Sequence, residues 1–227
     1  MKKDILAILG GMGPYASLEF NKKIFDYTDA KKDWEHIHTI LNSDISIPSR
    51  TRHILYGEED PTPYIIKAIN RLASFGAKAV VLPCNSVHYF YDRVANSIGI
   101  PWLNMLEIVA NEIKEKNLKK TLVLGGYVTV TKKTYDRYLK ETIYLNDDEN
   151  SIVYELIEAV KINDLNRVEE VAQMLIDIFE KYDNDSILFG CTELAISKKL
   201  QNYSKKAIFD SNELYAKYAV KYMLERQ

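Results

Sequence analysis

Two cysteines in 227 residues, Cys84 and Cys191, are too few and too far apart for a disulfide framework. The expectation is a pair of thiols in a reducing, cytoplasmic setting. No excess of positive charge is present either: 30 Lys plus Arg stand against 32 Asp plus Glu, a net charge of −2. Such a chain has no broad positive field, so nucleic acid is not expected as a partner. Long apolar runs are missing. The first, Ile5 to Leu9, has five residues after Met1-Lys2-Lys3-Asp4, too few for a leader or a membrane span, so no membrane partner is expected. The 16 tyrosines follow no aromatic–basic order of the kind that stacks on bases. Neither a Gly-Lys-Ser/Thr ending nor a Gly-x-Gly-x-x-Gly spacing occurs, and the cysteines have no close Cys or His neighbours at metal-ligand spacing. Neither a nucleotide-phosphate loop nor a metal site is therefore expected, and the expected metal ligands are none.

What is present is an alternation of strand and helix. Ile5 to Leu9 reads as a buried strand entering the turn Gly10-Gly11-Met12-Gly13-Pro14, which allows close backbone approach to a small anion. A helix over Tyr15 to Thr28 follows, with Leu18, Ile24 and Phe25 at helical spacing. A strand is expected at His36 to Leu41, and a loop from Asn42 to Arg50. A helix covers Thr62 to Phe75, with Ile65, Ile66, Ile69, Leu72 and Ala73 as its stripe and Gly76 as its cap. Ala79 to Leu82 is the third strand, broken by Pro83 just before Cys84. The second half repeats the plan: a helix from Met105 to Lys116, a strand Thr121 to Leu124 ending in Gly125-Gly126, helices Ser151 to Val160 and Asp164 to Tyr182, and a strand Ser186 to Phe189 stopping at Gly190-Cys191-Thr192-Glu193. A short strand, Ala207 to Phe209, leads to a last helix entered through Asp210-Ser211-Asn212-Glu213, which has capping-box spacing.

Offsets of 115 between the glycine turns and 107 between the cysteines point to an internal duplication. The expected fold class is α/β: two pseudo-symmetric Rossmann-like halves, each a mainly parallel sheet flanked by helices, with the active site in the cleft between them. The expected domains are 1–104 plus 208–227, and 105–207.

Chemistry concentrates at the strand ends, where parallel sheets collect ligands. Both cysteines fall there, each followed by a polar pair, Asn85-Ser86 or Thr192-Glu193. A thiol at a helix start is expected to have its pKa lowered from about 8.5 by the helix dipole. Two thiols on opposite walls suit removal of a proton from one face of a carbon acid and its return on the other, roles that exchange when the reaction reverses. Enolate-like charge then needs preorganised donors. Candidates are the backbone N–H groups of the two cysteine turns, the Ser86 and Thr192 hydroxyls and the Asn85 amide.

Three motifs, Gly10-Gly11-Met12-Gly13-Pro14, Pro83-Cys84-Asn85-Ser86-Val87-His88 and Gly190-Cys191-Thr192-Glu193-Leu194, together resemble the aspartate/glutamate racemase superfamily over essentially the whole chain, the first resembling its aspartate racemase branch. The resemblance implies a cofactor-independent racemase interconverting L- and D-aspartate, a small dicarboxylic amino acid, and assembled as a homodimer. It makes Cys84 and Cys191 the paired catalytic acid and base, and Met12, Gly13, Asn85, Ser86, Thr129, Thr192 and Glu193 part of the substrate site. Ile47-Pro48-Ser49-Arg50-Thr51 matches the segment whose arginine holds the substrate's side-chain carboxylate, and Lys161 falls at a second cationic anchor. Without the resemblance, Arg50 reads as a surface charge and Lys161 as a helix-end residue; His88 reads either as a structural histidine or as one that tunes Cys84 from a helical turn away, and Glu193 either as a helix-start residue or as one that steers proton exchange.

Ser86 and Val87 replace the family's usual Thr and Ala, and Gly126 and Val128 stand where Thr and Gly are usual, although Thr129 fits. Other readings are a racemase of glutamate or of broader specificity, a hydantoin-type racemase or decarboxylase, the last needing only one cysteine, and a redox-responsive small-anion-binding protein with a reversible Cys84–Cys191 disulfide.

Overall fold

The computed structural model describes residues 4–226. β1 (Ile5–Gly10) passes through the glycine turn into α1 (Pro14–Asp26), and β2 (His38–Ser43) follows a 3₁₀ turn at Asp33–Glu35. α2 (Arg50–Tyr56) and α3 (Thr62–Ser74) lead to β3 (Ala77–Val81), a 3₁₀ helix at Asn85–Phe90 and α4 (Tyr91–Val94). α5 (Met105–Glu115) precedes β4 (Lys120–Gly125), α6 (Tyr127–Thr131), β5 (Glu141–Ile143), α7 (Asp147–Lys161) and α8 (Leu165–Phe179). β6 (Ser186–Gly190), a 3₁₀ turn at Leu194–Ile196, α9 (Lys198–Gln201), β7 (Ala207–Asp210) and α10 (Ser211–Leu224) complete the order.

The strands form two parallel sheets, β2-β1-β3 and β5-β4-β6-β7. The chain divides into two compact units: residues up to Ile108 together with those from Asn212 onward, and Val109–Ser211. Each unit puts a buried strand inside its sheet, β1 throughout in one, and in the other β4, buried but for Lys120, beside the fully buried β6. Parallel sheets covered on both faces require such all-apolar strands, which is why Ile5 to Leu9 and Leu122 to Leu124 carry no alternation.

In the first unit, Ile65, Ile69 and Leu72 of α3 pack on Ile5, Ala7 and Leu9 of β1 and on Val80 of β3. α10 returns to this unit and sets Tyr215 against Phe20 of α1, ring centroids 5.4 Å apart. The Tyr215 hydroxyl accepts the Leu82 N–H at 3.2 Å and donates to the Leu103 carbonyl at 2.5 Å. In the second unit, α7 and α8 lay Val153, Leu156, Val160, Val171, Leu175 and Phe179 over β4 and β6. Each fully buried aliphatic or aromatic side chain of this kind contributes about 1.5–3 kcal/mol.

The two sheets repeat one plan. β1 and β4 end in glycines on which a following helix presses: a Cβ on Gly10 would meet the Ser17 side chain at 2.5 Å, and one on Gly125 would meet Thr129 at 2.7 Å. Beside β3, Trp102 forms a parallel bridge to Val80, with Val80 N–H to Pro101 O at 2.9 Å and Leu103 N–H to Val80 O at 3.1 Å. This bridge is to β3 what β7 is to β6.

Several expectations shift. α1 buries Ala16, Ser17, Phe20 and Ile24, whereas Leu18 and Phe25 face outward, 57% and 36% exposed. The close approach of Ser17 to Gly10 fixes the rotation of the helix and so overrides the larger side chains. β2 lies two residues later than expected, because Asp33–Glu35 closes a 3₁₀ turn first. α7 starts at Asp147, capped by Asn146, whose side chain accepts the Glu149 N–H at 3.0 Å. Gly76 does take a left-handed φ of 96° after α3.

Candidate active site

In the first unit, Cys84 follows β3 by three residues and Leu82 N–H is held by Tyr215, which fixes the strand end. The thiol is 7% exposed and packs in the core with Met12, Ile47, Val87 and Phe90. Asn85 is buried and Ser86 half-buried at the start of the 3₁₀ helix. His88 lies one turn on. Its Nδ1 is 2.9 Å from the Cys84 carbonyl, and its ring lies against Trp102 and Tyr215 at 5.0 and 5.9 Å. Burial pushes the imidazole down to about 4, against the upward pull of the Cys84 and Leu103 carbonyls, so it is neutral at physiological pH.

The glycine turn is shaped by Ser17, which sequence reasoning missed: its hydroxyl accepts the Gly11 N–H at 3.2 Å and donates to the Gly13 carbonyl at 2.7 Å. The available signal was a small hydroxyl residue one turn after Pro14. Arg50 is the first residue of α2, whose Ser49 cap accepts the Arg52 N–H at 3.3 Å. One guanidinium nitrogen, Nη1, donates to the Pro48 carbonyl at 3.1 Å, while the buried Nε has no hydrogen-bond partner. A buried charged donor left unpaired costs free energy. Arg50 thus departs from a solvated surface charge.

In the second unit, Cys191 follows β6 directly and is half-buried against that unit's core. Its Sγ donates to Glu193 Oε2 at 2.9 Å, and the Thr192 hydroxyl donates to the same oxygen at 3.1 Å. Glu193 is only 5% exposed. Thr192 is thereby engaged by the carboxylate. Thr129 is fully buried, its hydroxyl donating to the Gly190 carbonyl at 3.3 Å. Lys161 closes α7, half-exposed, and pairs with Glu158 at 2.6 Å. Burial pulls its ammonium down, but Glu158, Glu193 and Cys191 outweigh this and hold it above its ordinary value. Tyr135, also missed, is fully buried, and burial keeps its phenol far above the usual range, with Cys191 among the groups adding to the shift.

The expectation of a helix start at each thiol is corrected. Cys84 opens a six-residue 3₁₀ helix and Cys191 enters a turn before a three-residue one. Turns this short carry little macrodipole, so local partners set the thiol chemistry. The first unit thus contains Met12, Gly13, Arg50, Cys84, Asn85 and Ser86, and the second contains Thr129, Lys161, Cys191, Thr192 and Glu193. Among the described residues, no group of three His, Cys, Asp or Glu is arranged to hold a metal ion, and no helix is long and apolar enough to cross a membrane.

The family model for Asp/Glu/Hydantoin racemase matches residues 9–219. The chain is 28% identical to the broad specificity amino-acid racemase RacX of Bacillus subtilis (strain 168), across 98% of this chain and 100% of that protein. Among solved structures, it resembles the Picrophilus torridus aspartate racemase with a TM-score of 0.85 and 29% identity, covering 97% and 94% of the two chains. The Francisella tularensis glutamate racemase solved with D-glutamate shares the fold, with a TM-score of 0.70 at 16% identity over 99% of this chain and 82% of that one.

Proposed function

Because the chain belongs to the Asp/Glu/hydantoin racemase family, we propose that it interconverts the enantiomers of a small amino acid, aspartate first among them, by proton transfer between Cys84 and Cys191. One observation carries the reading: the two thiols occupy equivalent places in two copies of one plan, each just beyond the strand next to the central glycine-ended strand. In this reading the pair faces across one substrate. A thiolate on one face of the α-carbon takes its proton, and the C–H electron pair passes into the adjoining carboxylate. The opposite thiol then delivers its own proton to the other face, leaving the two sulfurs with exchanged protonation states. The chemistry asks for no pyridoxal phosphate and no metal, because the sulfurs supply both acid and base.

Aspartate is favoured by Arg50, whose buried, unpartnered Nε suits a side-chain carboxylate. Lys161 serves as the second cation. A broader substrate range is the second reading, supported by the full-length likeness to RacX.

The test is incubation of single L-amino acids in D₂O without added cofactor, followed by chiral chromatography and mass measurement. Aspartate is expected to racemise with one solvent deuterium at the α-carbon, and Cys84→Ala and Cys191→Ala each to abolish racemisation. Full turnover by either variant overturns the two-thiol scheme.

A further inference from the structure

The two half-sites are chemically unlike. Around Cys84 lie apolar core side chains and a neutral histidine; Cys191 is bonded to a buried carboxylate. We propose that Glu193 is a positioning residue that accepts the Cys191 S–H and keeps that sulfur in the thiol form, so that the enzyme at rest carries its transferable proton on the second unit. The inference rests on the racemase reading for its catalytic meaning, whereas the thiol–carboxylate pair stands on its own geometry.

A carboxylate oxygen 2.9 Å from a sulfur disfavours a second negative charge there and favours the S–H that it accepts. The same Oε2 takes the Thr192 hydroxyl, which fixes the carboxylate in place and aims it. At 5% exposure, Glu193 is poorly screened by water. Other titratable groups near Cys191 come from neighbouring elements. Lys161 at the end of α7 opposes Glu193, but it is half-exposed and spends its charge on Glu158. Tyr135, beyond α6, stays neutral, its phenol held up by burial first and then by charges that include Asp210 at the end of β7 and Cys191 itself. The contact carboxylate therefore dominates over the shared ammonium. In the racemase reading, Cys191 therefore enters turnover as the acid. After one passage Cys191 is a thiolate beside Glu193, an unfavourable pair that drives its reprotonation.

The experiment measures alkylation of Cys191 by iodoacetamide against pH in a Cys84→Ser chain, which reads the thiol whether or not the protein racemises anything. With Glu193 present, the midpoint is expected above the ordinary thiol value of about 8.5. Glu193→Gln is expected to lower it by at least one unit, raising the alkylation rate at pH 7 about tenfold. A midpoint at or below the ordinary value in the Glu193-bearing chain overturns the proposal, and this needs no variant at the buried position. An unmoved midpoint in a folded Glu193→Gln chain overturns it as well. Failure of racemisation with the shifted midpoint intact counts against the racemase reading and leaves the pair standing.

Discussion

His88 is the buried titratable side chain of the first half-site, and its effect on stability follows from where its proton goes. Folded, the imidazole titrates at about 4; unfolded, at an ordinary 6.5. As pH falls through 6.5 the unfolded chain gains a proton that the folded chain refuses, so stability drops until about pH 4, where both forms are charged. A difference of 2.5 units corresponds to roughly 3 kcal/mol in full, of which about 2 kcal/mol is lost by pH 5. Urea denaturation at pH 8 and pH 5 should show this loss in the parent chain, and His88→Gln should show a slope smaller by that amount. The strand-end placement of both cysteines was legible in the sequence, because apolar runs stopped by Pro83 and by Gly190 mark it, whereas the buried Nε of Arg50 was not, because it depends on packing. Tyr215 was not, because its partners Leu82 and Leu103 lie 133 and 112 residues away.

Among the elements, α2 governs the placement of Arg50. Seven residues make a marginal helix, and this one depends on its surroundings. Asp60 ties them together: its carboxylate takes the Thr62 N–H at 2.9 Å and Arg93 at 2.5 Å, and lies 4.0 Å from His53 of α2. Burial raises its pKa, but Thr62 and Arg93 together outweigh this and bring it to about 2. Its stabilising effect is therefore present above the ordinary 3.8 and is lost as pH falls through about 2. In the reading that Arg50 holds the side-chain carboxylate of aspartate, Asp60→Asn is expected to loosen α2 and raise KM for aspartate about three- to tenfold with kcat nearly unchanged, as steady-state kinetics over an aspartate series would show. α3 and α8 were readable from helical periodicity, and β1, β4 and β6 from unbroken apolar runs. α2, α6 and the edge strand β5 were missed, since five- and seven-residue helices and the half-polar Glu141-Thr142-Ile143 leave no period to count.

At the scale of the molecule, the duplication seen as two sequence offsets reappears as two sheets of one plan, with Trp102 standing in for the missing fourth strand of the first. The first unit closes only when α10 supplies Tyr215. Tyr215→Phe leaves the buried Leu82 N–H and Leu103 carbonyl unpaired and is expected to cost about 2–4 kcal/mol in equilibrium unfolding, with faster hydrogen exchange at the Leu82 amide. That return of the chain also has a bearing on birth order. As the polypeptide leaves the ribosome, Val109–Ser211 emerges as an unbroken stretch that holds the second core, whereas the portion translated before it must wait, with Phe20 uncovered, for α10, which is translated after it. The half begun before the other is finished after it, and apolar surface lies open in that interval.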